Sequence, residues 1–120
     1  MTEILAALGP VGAPPARDVL LEARNLRTSF KVLDGIVPAV DGISFSLKRG
    51  ETLGIVGESG SGKSVTALTI MRLLDIPPAS IGEGSEVWFD GREILSMPIE
   101  EMRKIRGSEM AMIFQEPLTA

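Results

Sequence analysis

The alternation of hydrophobic and polar positions divides the chain into short strands separated by two predicted helices. Val19 to Leu26 (Val-Leu-Leu-Glu-Ala-Arg-Asn-Leu) predicts a first strand. Asp34-Gly35 lies between apolar stretches and predicts a turn. Ile43, Phe45 and Leu47 alternate with Ser44, Ser46 and Lys48, the period of a half-buried strand. That signal outweighs Asp41-Gly42, which alone would read as another turn. Arg49-Gly50-Glu51 makes a short connection. Thr52 to Val56 is continuously apolar after Thr52, the pattern of a parallel strand covered on both faces.

A helix is predicted from about Lys63 to Leu74. Beyond its first turn Arg72 is the only strongly polar residue, which implies a buried central helix. Pro77-Pro78 should end it. Residues 79–85 read as a small-residue loop, Val87-Trp88-Phe89 as a short strand and Asp90-Gly91 as a tight turn. A second helix should run from roughly Pro98 to Arg106, with Ser96 as N-cap, Pro98 in the first turn and Gly107 as the stop. Ile99, Met102 and Ile105 share one of its faces, and Glu100 sits four residues before Lys104. Met110 to Phe114 predicts a last apolar strand. Residues 9–15 (Gly-Pro-Val-Gly-Ala-Pro-Pro) hold too much Pro and Gly for a regular element, so residues 1–17 read as a flexible leader and 18–120 as the folded part.

Composition narrows the chemistry. A chain of 120 residues, 44% hydrophobic, fits one small domain with a core. A formal charge of −4 argues against a nucleic-acid partner. The dense basic group Arg103, Lys104 and Arg106 is flanked by Glu100, Glu101 and Glu109, and reads as a solvated helix face. The sequence has no Cys, His or Tyr. Thiolate nucleophiles, disulfides, a Ser-His-Asp triad and His- or Cys-ligated metals are therefore excluded. Chemistry falls to Lys, Ser, Thr, Gln, carboxylates and backbone amides. No apolar run approaches the roughly 20 residues that span a bilayer. Met1 to Gly9 has an early Glu3 and no basic lead-in, so it makes a poor signal peptide. A cytoplasmic chain, linked to a membrane only through a partner, is expected.

One segment carries a specific chemical signature. Gly57-Glu58-Ser59-Gly60-Ser61-Gly62-Lys63-Ser64 has the spacing of a phosphate-binding P-loop, with an apolar stretch before it and a predicted helix after it. Its glycines let backbone N–H groups turn inward around phosphate oxygens, which requires positive φ and no Cβ in the way. The helix adds the partial positive charge of its N-terminus. Lys63 should reach the β- and γ-phosphates, and the Ser64 hydroxyl can ligate Mg²⁺. An accidental match in a chain of this size is about one in a hundred or less.

With that motif in place the chain resembles a known family. Ala39-Val40-Asp41-Gly42-Ile43-Ser44-Phe45-Ser46-Leu47, then Gly50 to Val56 and the P-loop, looks like the nucleotide-binding subunits of ABC transporters. Met112-Ile113-Phe114-Gln115-Glu116-Pro117 resembles their Q-loop. Together with Gly57 to Leu68, these segments are most similar to bacterial importers of dipeptides, oligopeptides and nickel, over residues 19–120. The fold class implied is α/β: a partial P-loop NTPase with an antiparallel β portion and an incomplete parallel sheet. The resemblance implies ATP and Mg²⁺ as ligands. The implied partners are membrane permease subunits, a second ATP-binding subunit and, indirectly, a periplasmic or extracellular solute-binding protein. The implied location is the cytoplasmic face of the bacterial plasma membrane.

Residue roles carry over where the motifs match. Taken alone, Gln115 reads as an ordinary glutamine at a strand end; the resemblance gives it contact with Mg²⁺ and the attacking water. Phe30 reads alone as a core or edge residue, and falls where the family stacks an aromatic on adenine. Val65 stands where many relatives carry Thr, leaving its backbone N–H for the α-phosphate. Trp88, in a Val-Trp-Phe strand, reads as packing rather than stacking. The family's signature motif, its Walker B strand and its switch histidine would come after Gln115. Their absence from these residues predicts an N-terminal fragment that at most binds nucleotide, with sheet edges and apolar faces left open. Two readings stand beside this one: a remnant that binds no nucleotide, and another P-loop NTPase such as a kinase or GTPase.

Overall fold

The computed structural model of the chain describes residues 9–55 and 62–113. Two long strands, β1 (Val19–Val32) and β2 (Gly35–Lys48), pair as an antiparallel hairpin. Their turn falls at Leu33-Asp34, next to the predicted Asp34-Gly35. β1 runs well past Leu26, because Thr28, Phe30 and Val32 suit a pleated surface and find partners across the ladder.

Of the four register shifts in this pairing, two leave an extra residue on β2. Leu26 pairs with Ile43 but Arg27 pairs with Asp41, so Gly42 is stepped over, at a φ of 78°. Asp41-Gly42 is therefore a bulge inside the strand, in keeping with the alternation around it. Thr28 pairs with Val40 and Ser29 with Pro38, so Ala39 is stepped over too. Pro38 has no N–H to give a ladder, and sits beside that bulge.

The other edge of β1 carries two partners. β3 (Ala79–Ile81) pairs with Thr28 to Phe30, and β4 (Glu86–Phe89) with Leu21 to Arg24. β3 corrects the loop expected over residues 79–85. Small residues show no side-chain period, yet their backbone bonds the edge of β1, continued by Lys31 N–H to the Pro78 carbonyl at 3.0 Å and Gly82 N–H to the Arg27 carbonyl at 2.9 Å. β5 (Arg92–Glu93) returns along β4 across Asp90-Gly91. Both turn residues have positive φ, 50° and 79°, as a two-residue type I′ hairpin requires. The sheet is five-stranded and antiparallel, in the order β2-β1-β4-β5 with β3 also on β1.

Helix α1 (Lys63–Ile70) is shorter than predicted. Arg72 takes a left-handed φ of 55°, and Arg72 N–H and Leu73 N–H donate back to the carbonyls of Thr69 and Leu68. That pair of bonds is a Schellman stop, so the helix ends before Pro77-Pro78. Only Thr66, Thr69 and Ile70 are buried on it. α1 thus lies on the sheet by one face and is not covered all round, because the described residues pack against one side only.

Helix α2 (Ile99–Ile105) buries Met102 and Ile105, while Ile99 at its start stays 40% exposed. Pro98 is its N-cap; Ser96, predicted for that place, instead donates its hydroxyl to Glu93. Gly107, at a φ of 89°, follows the helix end as expected. Arg106 is not part of a solvated face. Its guanidinium donates to the Arg72 carbonyl at 3.1 Å and the Met71 carbonyl at 3.4 Å, satisfying the end of α1. The core joins Ala23, Leu26 and Phe45 of the hairpin, Val87 and Phe89 of β4, Ile70 of α1 and both buried residues of α2.

The antiparallel part of the expected α/β fold is this sheet. The parallel strand expected over Thr52 to Val56 and the last apolar strand expected over Met110 to Phe114 are not formed among the described residues: residues 51–55 and 111–113 carry no strand, and Val56 and Phe114 lie outside the described residues. Ile55 is 49% exposed and Ile113 91% exposed. A strand of that pattern needs a ladder neighbour on each side and cover on both faces. No described residue supplies either. Ahead of β1, residues 9–17 run without helix or strand, as their proline and glycine require, and Gly9 to Ala13 lie bonded against β1 and β4. No described helix is long and apolar enough to cross a membrane.

Candidate phosphate-binding site

The second half of the P-loop motif is described: Gly62, Lys63, Ser64 and Val65. Gly57, Glu58, Ser59, Gly60 and Ser61 lie outside the described residues, as does Gln115. Gly62 is the N-cap of α1, with φ 96° and ψ 5°. Its carbonyl accepts from the Thr66 N–H at 2.8 Å and from the Thr66 hydroxyl at 2.7 Å, which closes the first turn. The first-turn N–H groups of a helix point out of its N-terminal end. They and the helix dipole make this end attractive to an anion, and the first turn holds no acidic residue to oppose one.

Two independent reasons require glycine at position 62. The left-handed φ penalises any residue with a Cβ. A Cβ would also stand 2.5 Å from the Ala39 carbonyl oxygen. The bulge in β2 is therefore a seat for the helix N-terminus.

A second fastening lies further along α1. The hydroxyls of Thr28 and Thr69 are 2.8 Å apart and buried. Thr69 donates its single proton to the Val65 carbonyl at 2.7 Å, so Thr28 is the donor between the two hydroxyls. α1 is thereby held to β1 at one point and to β2 at another. Lys63 and Ser64 remain exposed at its start, and Val65 is half-buried.

Phe30 lies close by in the register. It pairs with Val37 on β2 and Ala79 on β3, and its neighbour Ser29 faces Pro38, one residue from the Ala39 seat. The ring is half-buried. The sheet thus brings an aromatic to the strand segment on which the P-loop helix rests. Trp88 is nearly buried in β4, with its indole N–H bonded to Glu86 at 2.8 Å and the Arg24 guanidinium carbon 5.3 Å from its ring centre. It packs, as its strand context implied.

Sequence reasoning missed the Ala39 bulge and the Thr28–Thr69 bond. Pro38 within an apolar strand was the available sign of the first. Thr66 and Thr69 on one face of an otherwise apolar helix were the sign of the second.

The model of the ABC transporter family matches residues 40–120. The chain belongs to that family. It is also similar to several transport ATP-binding proteins. The oligopeptide transport ATP-binding protein OppD of Escherichia coli (strain K12) is 48% identical over the whole chain and 34% of its own length. OppD of Bacillus subtilis (strain 168) is 48% identical over 84% of the chain and 28% of its own length. The dipeptide transport ATP-binding protein DppD of Lactococcus lactis subsp. cremoris (strain MG1363) is 50% identical over 88% of the chain and 30% of its own length. The chain spans about a third of the length of these relatives.

Proposed function

We propose that these residues form the phosphate-gripping part of an ATP site in an ABC importer for peptides. The observation that carries this is the left-handed Gly62 seated on Ala39, which places Lys63 and Ser64 at the start of α1. That arrangement suits a polyphosphate. Lys63 supplies a full positive charge to the β- and γ-phosphates, and the Val65 N–H serves the α-phosphate. The Ser64 hydroxyl suits a Mg²⁺ ion that takes its other ligands from phosphate and water. Gly57 to Ser61 complete the cradle by their backbone amides, and Phe30 offers its ring to the adenine. Gln115, a neutral amide, orients the water and binds the metal without competing as a base.

The names of the relatives support dipeptides or oligopeptides as the cargo of the whole assembly. In this reading the chain works at the cytoplasmic face of the plasma membrane, against permease subunits and a second ATP-binding subunit. A solute-binding protein delivers cargo on the far side. ATP hydrolysis belongs to that assembly, with MgATP held between two subunits.

Calorimetric titration of the chain with ATP, ADP and AMP in the presence of Mg²⁺ tests the reading. Affinity should fall in that order, and AMP should bind at least about 10-fold more weakly than ATP, because the site grips phosphates. Phe30→Ala should weaken all three by a similar factor of about 3–10, the worth of one stacked ring. Equal affinity for ATP and AMP, or no saturable binding, would contradict the proposal.

A further inference from the structure

A second built site lies on the sheet, away from α1. Glu22 and Arg24 on β1 stand opposite Trp88 and Glu86 on β4 in the ladder. The side chains of Glu22, Arg24 and Glu86 are 1%, 5% and 14% exposed. They bond one another: Arg24 Nε to Glu22 at 2.6 Å, Arg24 Nη1 to Glu86 at 3.0 Å, and the Trp88 indole to Glu86 at 2.8 Å. Paired strands and these mutual bonds fix the cluster before anything else touches it, so it is preorganised.

Against it lies one β-turn of the N-terminal segment. The Ala13 N–H donates to the Pro10 carbonyl at 3.1 Å, and Gly12 takes a φ of 78° at the third position. That is the glycine of a type II turn. The cluster reads the turn wholly through its backbone. Arg24 Nη1 donates to the carbonyls of Pro10 and Ala13, both at 2.7 Å, its two protons being shared among these and Glu86. The Gly9 N–H donates to Glu22 at 3.2 Å, and the Gly12 N–H to Glu86 at 3.0 Å. Val11, at the tip, is 85% exposed and contributes no packing. Arg24 Nη2 is buried without an acceptor among the described residues, and a Cβ on Gly9 would stand 2.6 Å from it. The socket therefore selects glycine at two places, by close approach at position 9 and by backbone conformation at position 12.

We propose that Glu22, Arg24 and Glu86 form a binding site for a glycine-containing peptide β-turn, recognised by its backbone, which the chain fills with its own Gly9–Ala13. The segment is a strap held by polar bonds to a preformed socket, with no ladder and no buried side chain of its own at the tip. The socket accepts the same turn from a separate peptide once the strap is weakened.

Trp88 is the single tryptophan and bonds directly to Glu86, so its indole ¹H–¹⁵N resonance reports the state of the socket. In the full unmodified chain, hydrogen exchange at Gly9 and Gly12 should be slowed at least about 10-fold relative to Val11, whose N–H makes no such bond. Gly12→Ala, strained at positive φ, should raise exchange at Gly9 by about 10-fold and shift the Trp88 indole signal. Millimolar acetyl-Gly-Pro-Val-Gly-Ala-amide should return that signal toward its original position. The peptide with Ala in place of its second glycine should not. The proposal is overturned if Gly9 and Gly12 exchange as fast as Val11 in the unmodified chain. It is equally overturned if the glycine peptide leaves the variant's indole signal unmoved, or if the two peptides act alike.

Discussion

Gly62→Ala will eliminate tight MgATP binding and destabilise the fold by roughly 2–5 kcal/mol. The left-handed conformation alone costs a residue with a Cβ about 1–2 kcal/mol. The new Cβ would also meet the Ala39 carbonyl oxygen at 2.5 Å, and that partner is backbone in a paired strand. Relief requires α1 or β2 to shift, a cost of about 1–3 kcal/mol for an overpacked site. Either shift moves Lys63 and Ser64 away from the line on which Gly62 presents them. Gly91→Ala separates the two causes. Gly91 also has positive φ, 79°, but a Cβ there meets nothing within 4 Å. That variant should lose only the conformational part and keep its nucleotide affinity. Urea unfolding and nucleotide titration of both variants provide the comparison. Equal losses would mean that α1 is not seated on the β2 bulge.

Arg24→Ala should be as damaging to stability, by about 3–5 kcal/mol, through a different mechanism. Truncation leaves the fully buried Glu22 carboxylate without its cation and removes the donor to the Pro10 and Ala13 carbonyls. Combining Arg24→Met with Glu22→Gln should recover part of the loss, because a neutral pair does not strand a buried charge. The acid limb of the stability curve gives a second reading. Burial raises the affinity of Glu86 for its proton. Hydrogen bonds from Trp88, Gly12 and Arg24, with the charge of Arg24, outweigh that effect and hold it below the ordinary value of 4.5. Glu86 therefore stabilises the fold above about pH 4.5, and that contribution is lost as pH falls through its lowered folded value. Arg24→Ala removes two of the lowering influences, so the share of the acid-side slope due to Glu86 should flatten.

The elements legible in the sequence are those whose causes are local. The hairpin corner at Leu33-Asp34, one residue from the expected Asp34-Gly35, the alternation through Phe45, the Asp90-Gly91 hairpin and the stop at Gly107 each rest on a few adjacent residues. Elements defined by a distant partner were not legible. Ala79-Ser80-Ile81 is a strand because β1 has a free edge there. Thr52 to Val56 has the pattern of a central strand, yet residues 51–55 carry none without neighbours beside them. The end of α1 was misread because Arg72 occupies a left-handed site usually given to glycine. The phosphate site divides in the same way. Gly62, Lys63 and Ser64 announce themselves by spacing, since close backbone approach to phosphate restricts what can stand there. The seat beneath them, Ala39 in its bulge, has no signature beyond the neighbouring proline. The socket around Arg24 has no local signature at all, because β4 and the N-terminal turn that cover its charged residues are distant in the sequence.

The central claim is that the start of α1 holds the phosphates of ATP, and Lys63→Ala tests it most directly. Lys63 is exposed in the first turn, so its loss should leave the sheet, α1 and the unfolding midpoint nearly unchanged. Titration of both forms with MgATP should show binding weakened about 10–100-fold in the variant, the worth of one charged contact to phosphate. AMP, which lacks the phosphates Lys63 is assigned, should be affected far less. MgATP affinity unchanged by Lys63→Ala, in a variant with the same fold, would contradict the account.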